Sequence, residues 1–181
     1  MCEEESAMLV NLVDVFTNDG CVQEMDVPYE AERFSCVYGN FSIQEKNPVT
    51  LRLSHLGQSK ALAEGNIKLT LVLACDRCLK DVEYPFDVTF RLKLVSPDYA
   101  GADRDDYEFS VLEGNHLNVD ELIRAEILFN WPEKVLCRED CKGICKVCGQ
   151  NLNDGACGCD DFVPDPRMAV IKDLMNANKE V

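Results

Sequence analysis

The stretch of sequence that decides the fold runs from Val82 to Lys93 and reads VEYPFDVTFRLK. Apolar and polar side chains alternate along it, and a period of two is typical of a β-strand with one buried face. Pro85 has no backbone N–H, so we expect its part of the strand to be an edge or a bulge. The predicted buried face comprises Val82, Tyr84, Phe86, Val88, Phe90, Leu92 and Leu94.

The residues before this stretch predict a partner strand. Ile67, Leu69, Leu71 and Leu73 form one apolar face, with polar residues between some of them. We expect the two strands to form a long antiparallel hairpin whose connection contains Cys75-Asp76-Arg77-Cys78. Further strands are predicted at Val49 to Leu53 and, from weaker patterns, at Leu9 to Phe16, Phe34 to Val37 and Tyr107 to Leu112, with a solvated loop at residues 96–106.

Two helices are predicted from their capping residues. Asn118 is a good N-cap with Glu121 three residues later, and the helix that follows must end before Pro132. Asp165 caps a second helix, with Pro166 in its first turn. The apolar stripe of this second helix, which we interpret as a core-facing surface, contains Val170, Ile171, Leu174 and Met175.

These elements predict an α+β fold with an antiparallel β-sheet, two main helices and a C-terminal cysteine-rich module that resembles a zinc ribbon. The chain has 181 residues, enough for one domain or one domain with a small appended module. We expect residues 1–131 to form the β-rich domain, including the capped helix 118–131. Residues 132–181 are expected to form the cysteine-rich module and a C-terminal helix packed on the same domain.

The charge of the chain is strongly negative and unevenly distributed. The net charge is −15; residues 1–131 hold 24 acidic and 11 basic side chains, and residues 132–181 hold 9 and 7. No cluster of Lys and Arg suited to phosphate contacts is visible. The acidity favours a basic protein partner or serves solubility alone.

The sequence predicts a cytoplasmic protein. No apolar run approaches the roughly 20 residues of a membrane span, and the N-terminal Met1-Cys2-Glu3-Glu4-Glu5 is acidic where a signal peptide would be basic. Cytosolic thiols are kept reduced, so clustered cysteines there are more often metal ligands or redox catalysts than disulfides.

Eight of the eleven cysteines form closely spaced pairs that predict a structural metal site. Zinc prefers four thiolates at tetrahedral corners, about 2.3 Å from each sulfur. Glycine supports the sharp turn that such a pair requires, and Gly149 and Gly158 lie next to or within two of the pairs. The predicted ligands are Cys75 and Cys78, Cys137 and Cys141, Cys145 and Cys148, and Cys157 and Cys159.

The number of metal ions is left open between one and two. Proximity favours one site made by the last four cysteines and a second in which Cys75 and Cys78 join Cys137 and Cys141. Cys137, Cys141 and Cys145 are evenly spaced, however, so the sequence also allows them to exchange between the two sites. The alternative is a single site with the remaining thiols free. A closed four-thiolate site has no open position for substrate, so its role would be structural. An iron–sulfur cluster and a thioredoxin-type redox pair are weaker alternatives.

No catalytic constellation is visible, and we expect no enzymatic activity. The sequence contains no Ser-His-Asp arrangement, phosphate-binding glycine loop or H-E-x-x-H motif. Of the two histidines, His55 and His116, we interpret His116 as a surface or hydrogen-bonded residue rather than a stray ligand, and Cys2, Cys21 and Cys36 as ordinary buried or surface thiols.

Three segments resemble the YceD-like family, named for large ribosomal RNA subunit accumulation. Cys75 to Leu79 resembles the family's C-x-R-C-L, and Asp165-Pro166-Arg167 its D-P-R. Leu136 to Asn153 resembles L-C-x-x-x-C-K-G-L-C-P-x-C-G-x-N-L-N, with Ile144 in place of Leu and Lys146 in place of Pro. Neither departure removes a cysteine.

The resemblance implies a cytoplasmic, non-enzymatic factor that is needed for accumulation of 23S rRNA in bacteria, with relatives in chloroplasts. The family's gene commonly lies beside that of a small, basic ribosomal protein. Two mechanisms follow as hypotheses: the acidic face binds a basic large-subunit ribosomal protein or a pre-ribosomal particle, or the zinc module contacts rRNA directly. A redox or nuclease enzyme is the third, weaker alternative. Residues 137–159 carry only three basic side chains, which favours the first.

Overall fold

The computed structural model describes residues 8–57, 59–100 and 110–159. Within these ranges the chain forms nine strands and two helices. In chain order they are β1 (Leu9–Asn11), α1 (Val13–Thr17), β2 (Val22–Val27), β3 (Arg33–Cys36), β4 (Gly39–Lys46), β5 (Val49–Gly57), β6 (Lys60–Ala74), β7 (Asp81–Val95), β8 (Leu112–Glu113), β9 (His116–Asn118) and α2 (Val119–Phe129). The predicted α+β class is confirmed.

The hairpin of β6 and β7 is the longest feature of the sheet, with 15 residues in each strand. The predicted alternation of β7 is confirmed: Phe86, Val88 and Phe90 are buried, while Asp87 and Thr89 between them are exposed. Within the described part of the chain, β7 pairs with β6 and with no other strand. The missing N–H of Pro85 therefore lies in an edge strand, as predicted.

The larger sheet has six strands, in the order β2-β5-β6-β4-β3, with β7 also paired to β6. The N-terminal half of β6 pairs with β5, from Ala61 opposite His55 to Asn66 opposite Thr50. The C-terminal half pairs with β4, where Leu69 lies opposite Lys46. A separate three-stranded sheet has the order β1-β9-β8.

The buried faces of these strands form the main core, together with residues of α1 and α2. Close contact between strands limits side-chain size at Gly65 in β6, where a Cβ atom would collide with the carbonyl oxygen of Thr50 and the ring of Phe90. Fully buried core residues include Leu51, Leu53, Ile67, Leu71, Leu122, Ile123 and Ile127.

Helix α2 begins at the predicted N-cap and ends before the predicted proline. The Asn118 side-chain oxygen accepts a hydrogen bond from the Glu121 N–H at 3.1 Å, which satisfies one of the free N–H groups of the first turn. The helix ends at Phe129, three residues before Pro132.

The prediction of one strand from Leu9 to Phe16 is wrong beyond Asn11. The side-chain oxygen of Asn11 accepts the Val13 N–H at 2.8 Å and turns the chain into the short helix α1. The helix places Val15 and Phe16 in the core, so burial rather than strand pairing accounts for the apolar residues.

Other predictions are met in part. Strand β3 covers Arg33–Cys36, and Val37 lies in the turn to β4. Strand β8 begins at Leu112. Residues 101–109, and with them most of the predicted acidic loop, lie outside the described residues, as does the predicted helix after Asp165.

The described residues fall into two compact units. The first contains residues 8–73 and 81–135, and the second contains residues 74–80 with those from 136 onward. The second unit thus joins the tip of the β6–β7 hairpin to the cysteine-rich segment. The wider division at residues 131 and 132 stays a prediction.

Candidate metal centre

The first Cys-x-x-Cys pair lies in a tight turn at the tip of the β6–β7 hairpin. The Cys75 N–H donates to the carbonyl of Lys80 at 2.8 Å, and the Leu79 N–H donates to the carbonyl of Cys75 at 2.9 Å. Leu79 has a φ of 60°, in the left-handed region that bulky residues rarely adopt. The turn directs both thiols to the same side of the hairpin tip, where the Cys75 and Cys78 side chains are buried.

The turn at Cys145 and Cys148 repeats this hydrogen-bond pattern. The Cys145 N–H donates to the carbonyl of Gln150 at 2.8 Å, and the Gly149 N–H donates to the carbonyl of Cys145 at 2.9 Å. Gly149 has a φ of 75° and occupies the position that Leu79 holds in the first turn. Two segments about 70 residues apart in sequence therefore form the same cysteine turn.

The eight predicted thiols lie in two groups of four. In each group, the four Sγ atoms lie within 4.8 Å of one another. We name Cys75, Cys78, Cys137 and Cys141 the first cluster, and Cys145, Cys148, Cys157 and Cys159 the second cluster. This grouping is the one that proximity in the sequence favours.

The geometry of the first cluster fits a tetrahedral metal ion. The Sγ atoms of Cys75 and Cys141 are 3.8 Å apart, and those of Cys78 and Cys137 are 3.5 Å apart. Four sulfurs about 2.3 Å from one ion would lie about 3.8 Å from one another. Both distances are well above the roughly 2.05 Å of a disulfide bond, and all four cysteines are free thiols.

The thiols of the first cluster differ in acidity. Burial would raise the pKa of Cys75, but hydrogen bonds from the backbone of Arg77, Cys137 and Cys78 outweigh it and lower the pKa to about 6. Burial and contact with neighbouring thiols raise the pKa of Cys137 to about 12. The pKa values of the thiols are spread apart because negative sulfurs so close together repel one another.

The second cluster shows the same division but is more open to solvent. Backbone N–H groups of Cys148 and Val147 lower the pKa of Cys145 to about 7. Contacts with the thiols of Cys148 and Cys157 raise the pKa of Cys159 to about 12. Cys145 is buried, whereas Cys148 is exposed. Either cluster could hold a metal ion, and a divalent cation would offset the repulsion among the sulfurs.

A contact between Arg77 and the segment after Cys141 holds the first cluster together. The Arg77 guanidinium donates to the carbonyl of Cys141 at 2.7 Å. Gly143, with a φ of 79°, lies so close that a Cβ atom there would be 3.1 Å from the carbonyl oxygen of Arg77. The hairpin tip is thus fixed against the chain that supplies the other two thiols.

Asn153 also contacts the first cluster, although it lies between two cysteines of the second. Its side-chain N–H donates to the Sγ atom of Cys141 at 3.3 Å. Its side-chain oxygen accepts from the Arg138 guanidinium at 2.7 Å and from the Lys142 N–H at 2.8 Å. In the sequence, Arg77 and Asn153 are recognisable only as motif residues, because neither belongs to a residue type that ligates zinc.

The remaining cysteines and histidines lie outside both clusters. Cys21 and Cys36 are free thiols in the first unit, and Cys2 lies outside the described residues. The His55 Nδ1–H donates to the carbonyl of Val15 at 2.8 Å. His116 lies in β9, opposite Asn11.

A family model described as "Large ribosomal RNA subunit accumulation protein YceD" matches residues 63–175, which is more than half of the chain. The chain belongs to the YceD family. The match contains β7, α2 and all eight clustered cysteines, and it confirms the resemblance carried by the cysteine motifs.

Membership of the YceD family implies a role in accumulation of the large ribosomal RNA subunit. Comparison with curated proteins and with solved structures finds no match. Among the described residues, no helix is both long and apolar enough to span a membrane.

Proposed function

We propose that this chain is a cytoplasmic, non-enzymatic factor in large-subunit ribosome biogenesis that holds two structural zinc ions and is needed for accumulation of 23S rRNA. The observation that carries the proposal is the pair of four-thiol clusters within the region matched by the YceD family model. The ribosomal role rests on the family, and the structural role of the metal rests on the donor set.

The proposed ligands of the two ions are the eight cysteines of the first and second clusters. Zinc suits four thiolates in a closed site, whereas magnesium and calcium require oxygen ligands. Zinc in such a site would supply a cross-link and no open coordination position for a substrate. The absence of an open position supports a non-enzymatic factor.

The proposed partner is a basic ribosomal protein of the large subunit or a pre-ribosomal particle. The described residues of the first unit hold 17 acidic and 9 basic side chains. Four of the nine bases, Arg52, Lys68, Arg91 and Arg124, already pair with carboxylates of the same unit. The surplus of acid would attract a basic partner by electrostatic steering.

The bases near the clusters are poorly placed for phosphate contacts. The Arg77 guanidinium is bonded to the carbonyl of Cys141, and that of Arg138 to Asn153 and to Asp140 at 3.3 Å. Both arginines therefore serve the module itself. This arrangement supports a protein partner rather than direct contact with rRNA.

A native pull-down of the tagged chain from its own cells, with and without RNase, tests the proposed partner. We expect a basic large-subunit protein to stay bound after RNase treatment. A variant with the exposed carboxylates Asp26, Glu45 and Glu83 changed to amides should lose most of this protein, because steering falls with the negative charge.

The matched control changes three exposed lysines of the second unit, Lys80, Lys142 and Lys146, to glutamine. We expect it to retain the partner. If RNase abolishes retention and only the lysine variant fails to bind, the chain contacts rRNA directly and the proposed protein partner is wrong. Turnover of a substrate that Cys75→Ser abolishes without loss of the fold would contradict the non-enzymatic role.

A further inference from the structure

One contact connects the two clusters at the level of single atoms. Asn153 lies in the loop between Cys148 and Cys157, so a metal in the second cluster would fix both ends of the segment that carries it. The side chain of Asn153 leaves this loop and donates to the Sγ atom of Cys141, a thiol of the first cluster. A residue positioned by one cluster thus serves a sulfur of the other.

The Asn153 amide is held in a single orientation by its partners. One N–H of the amide nitrogen faces Cys141 Sγ, and the same nitrogen donates to the side-chain oxygen of Asn151 at 2.7 Å. The amide oxygen accepts from both Arg138 and Lys142. A 180° flip of the amide would place its oxygen against the sulfur and its nitrogen against the donors of Arg138 and Lys142. The hydrogen-bond partners therefore allow only the orientation in which the N–H faces Cys141.

The loop that carries Asn153 is tied to the segment between the clusters. The Leu152 N–H donates to the carbonyl of Gly143 at 2.9 Å, and Asn151 forms an antiparallel bridge with Ile144. Gly143 and Ile144 lie between Cys141 of the first cluster and Cys145 of the second. Displacement of the loop would therefore disturb the backbone that joins the two sets of thiols.

The hydrogen bond acts on the charged form of the sulfur. Because an N–H group can only donate, its contact with the Sγ atom of Cys141 at 3.3 Å favours the thiolate, which is the form that binds metal. An N–H donor to a metal-bound thiolate orients the ligand and disperses its charge, and loss of such an outer partner typically costs 10–100-fold in metal affinity.

We infer that Asn153 is a positioning residue that couples the two clusters, so that a metal ion in either cluster raises the affinity of the other. This inference rests on the proposed binding of zinc by both clusters. Because coupling between two binding sites is reciprocal, loss of the second site weakens the first by the same factor that loss of the first weakens the second.

The test is a double-mutant cycle on the zinc affinity of the first cluster, measured by competition with a chelator of known affinity. One change, Cys157→Ser with Cys159→Ser, disables the second cluster. The other, Asn153→Asp, keeps the side-chain oxygen for Arg138 and Lys142 but removes the N–H that faces Cys141.

With Asn153 present, we expect the disabled second cluster to lower the zinc affinity of the first by about tenfold. With Asn153→Asp, the same disabling should lower the affinity by less than about twofold. Asn153→Ala repeats the cycle without the added negative charge and replaces Asn153→Asp should that variant not fold. Equal losses in both backgrounds would mean independent clusters and would overturn the inference.

The control is Gln150→Ala in the same loop. The side chain of Gln150 is exposed. The backbone carbonyl of Gln150 accepts the hydrogen bond from the Cys145 N–H, and the change to alanine retains that carbonyl. We expect this variant to keep the coupling of the native chain. Loss of coupling in Gln150→Ala as well would assign the effect to the loop as a whole and overturn the role of Asn153.

A second measurement, the absorption spectrum of the cobalt-loaded chain, reports on the sulfur of Cys141 directly. In the chain loaded with Co²⁺, Asn153→Asp should move the sulfur-to-cobalt absorption to lower energy, because a thiolate without its N–H donor gives up electrons more readily. An unmoved band would overturn the proposed contact. Zinc content separates the two claims: two ions per chain with additive effects overturns the coupling alone, whereas a chain that binds no zinc overturns the proposed metal sites as well.

Discussion

The two clusters use the same cysteine turn but differ in the length of chain they join. In the first cluster, Cys75 and Cys141 are 66 positions apart and Cys78 and Cys137 are 59 apart. In the second, all four cysteines lie between positions 145 and 159. The first cluster is also mostly buried, whereas the second contains the exposed Cys148. The same cysteine turn can therefore join segments far apart in the sequence or close a local loop.

The largest effect that separates the clusters is expected on removal of metal. A structural zinc site contributes on the order of 10 kcal/mol to folding. We expect a chelator to remove the ion of the second cluster first, since Cys148 is exposed, and removal from the first cluster to abolish the ordered contact between the hairpin tip and residues after 136. Hydrogen exchange during chelation, followed at residues 74–80 for the first cluster and at residues 145–159 for the second, measures this order.

The control for this prediction replaces the chelator with added zinc under the same conditions. Bound zinc then exchanges slowly for added zinc, and neither cluster is emptied. Faster release from the first cluster than from the second would contradict the account, because burial would then give no protection.

A smaller difference is expected between single ligand substitutions. Cys141→Ser in the first cluster and Cys157→Ser in the second each remove one sulfur. We expect Cys141→Ser to lower the free energy of unfolding by about 1.5 kcal/mol more, because a link that closes a loop of 66 residues rather than 12 removes more conformational entropy from the unfolded chain. Denaturant titration of the two variants measures the difference, and Cys21→Ser serves as a control outside both clusters.

Acid should release zinc, because cysteines whose pKa is raised bind protons that compete with the metal. Cys137 and Cys159 each have a pKa near 12, so both bind protons that zinc must displace at neutral pH. Cys75, with a pKa of about 6, is already ionised at pH 7 and gains a competing proton only below that value. Affinity therefore rises with pH and falls with acid.

If two protons are displaced for each ion, zinc affinity falls about 100-fold for each unit of pH below neutrality. Chelator competition between pH 6 and pH 8 measures this slope. Affinity that does not change with pH would mean that zinc displaces no protons, and the thiols would not be its ligands.

The smallest predicted effect compares the two turns at matched positions. Gly149→Ala places a side chain at a φ of 75°, and no atom lies within 4 Å of the new Cβ. We expect it to lower the free energy of unfolding by about 1 kcal/mol, entirely through strain in the backbone. Leu79→Gly relieves the same strain at the exposed Leu79 and should raise stability by about 0.5 kcal/mol, less than the full strain because glycine gains freedom in the unfolded chain.

Thermal unfolding of the zinc-loaded variants measures both changes. If Leu79→Gly destabilises the protein as much as Gly149→Ala does, the strain at Leu79 is absent or its side chain makes contacts that outweigh it.

The sequence predicted the parts of the molecule that depend on local patterns. The alternation around Phe86 and Phe90 predicted β7 because a single buried face imposes a period of two. The cysteine spacing predicted the four pairs because ligands a few residues apart need only a local turn, and the proximity of the last four cysteines favoured the observed grouping. Strands β2 and β4 were missed, since glutamate, glutamine and lysine occupy many of their positions and hide the alternation.

The contacts that were not predicted depend on tertiary structure. The Asn11 side chain redirects the chain into α1, and such a local hydrogen bond leaves no periodic pattern in the sequence. The contacts of Arg77 and Asn153 with Cys141 join residues 64 and 12 positions apart, and neither side chain is a metal ligand. The left-handed Leu79 could be inferred only from its equivalence to Gly149, which becomes evident once both turns are seen.

The most direct test of the two proposed zinc sites is the metal content of the full chain, purified without chelator and analysed by native mass spectrometry together with elemental analysis. We expect two zinc ions per chain, one lost in Cys141→Ser and a different one lost in Cys157→Ser. A chain that carries no zinc, or that carries iron with sulfide, would contradict the proposed zinc sites.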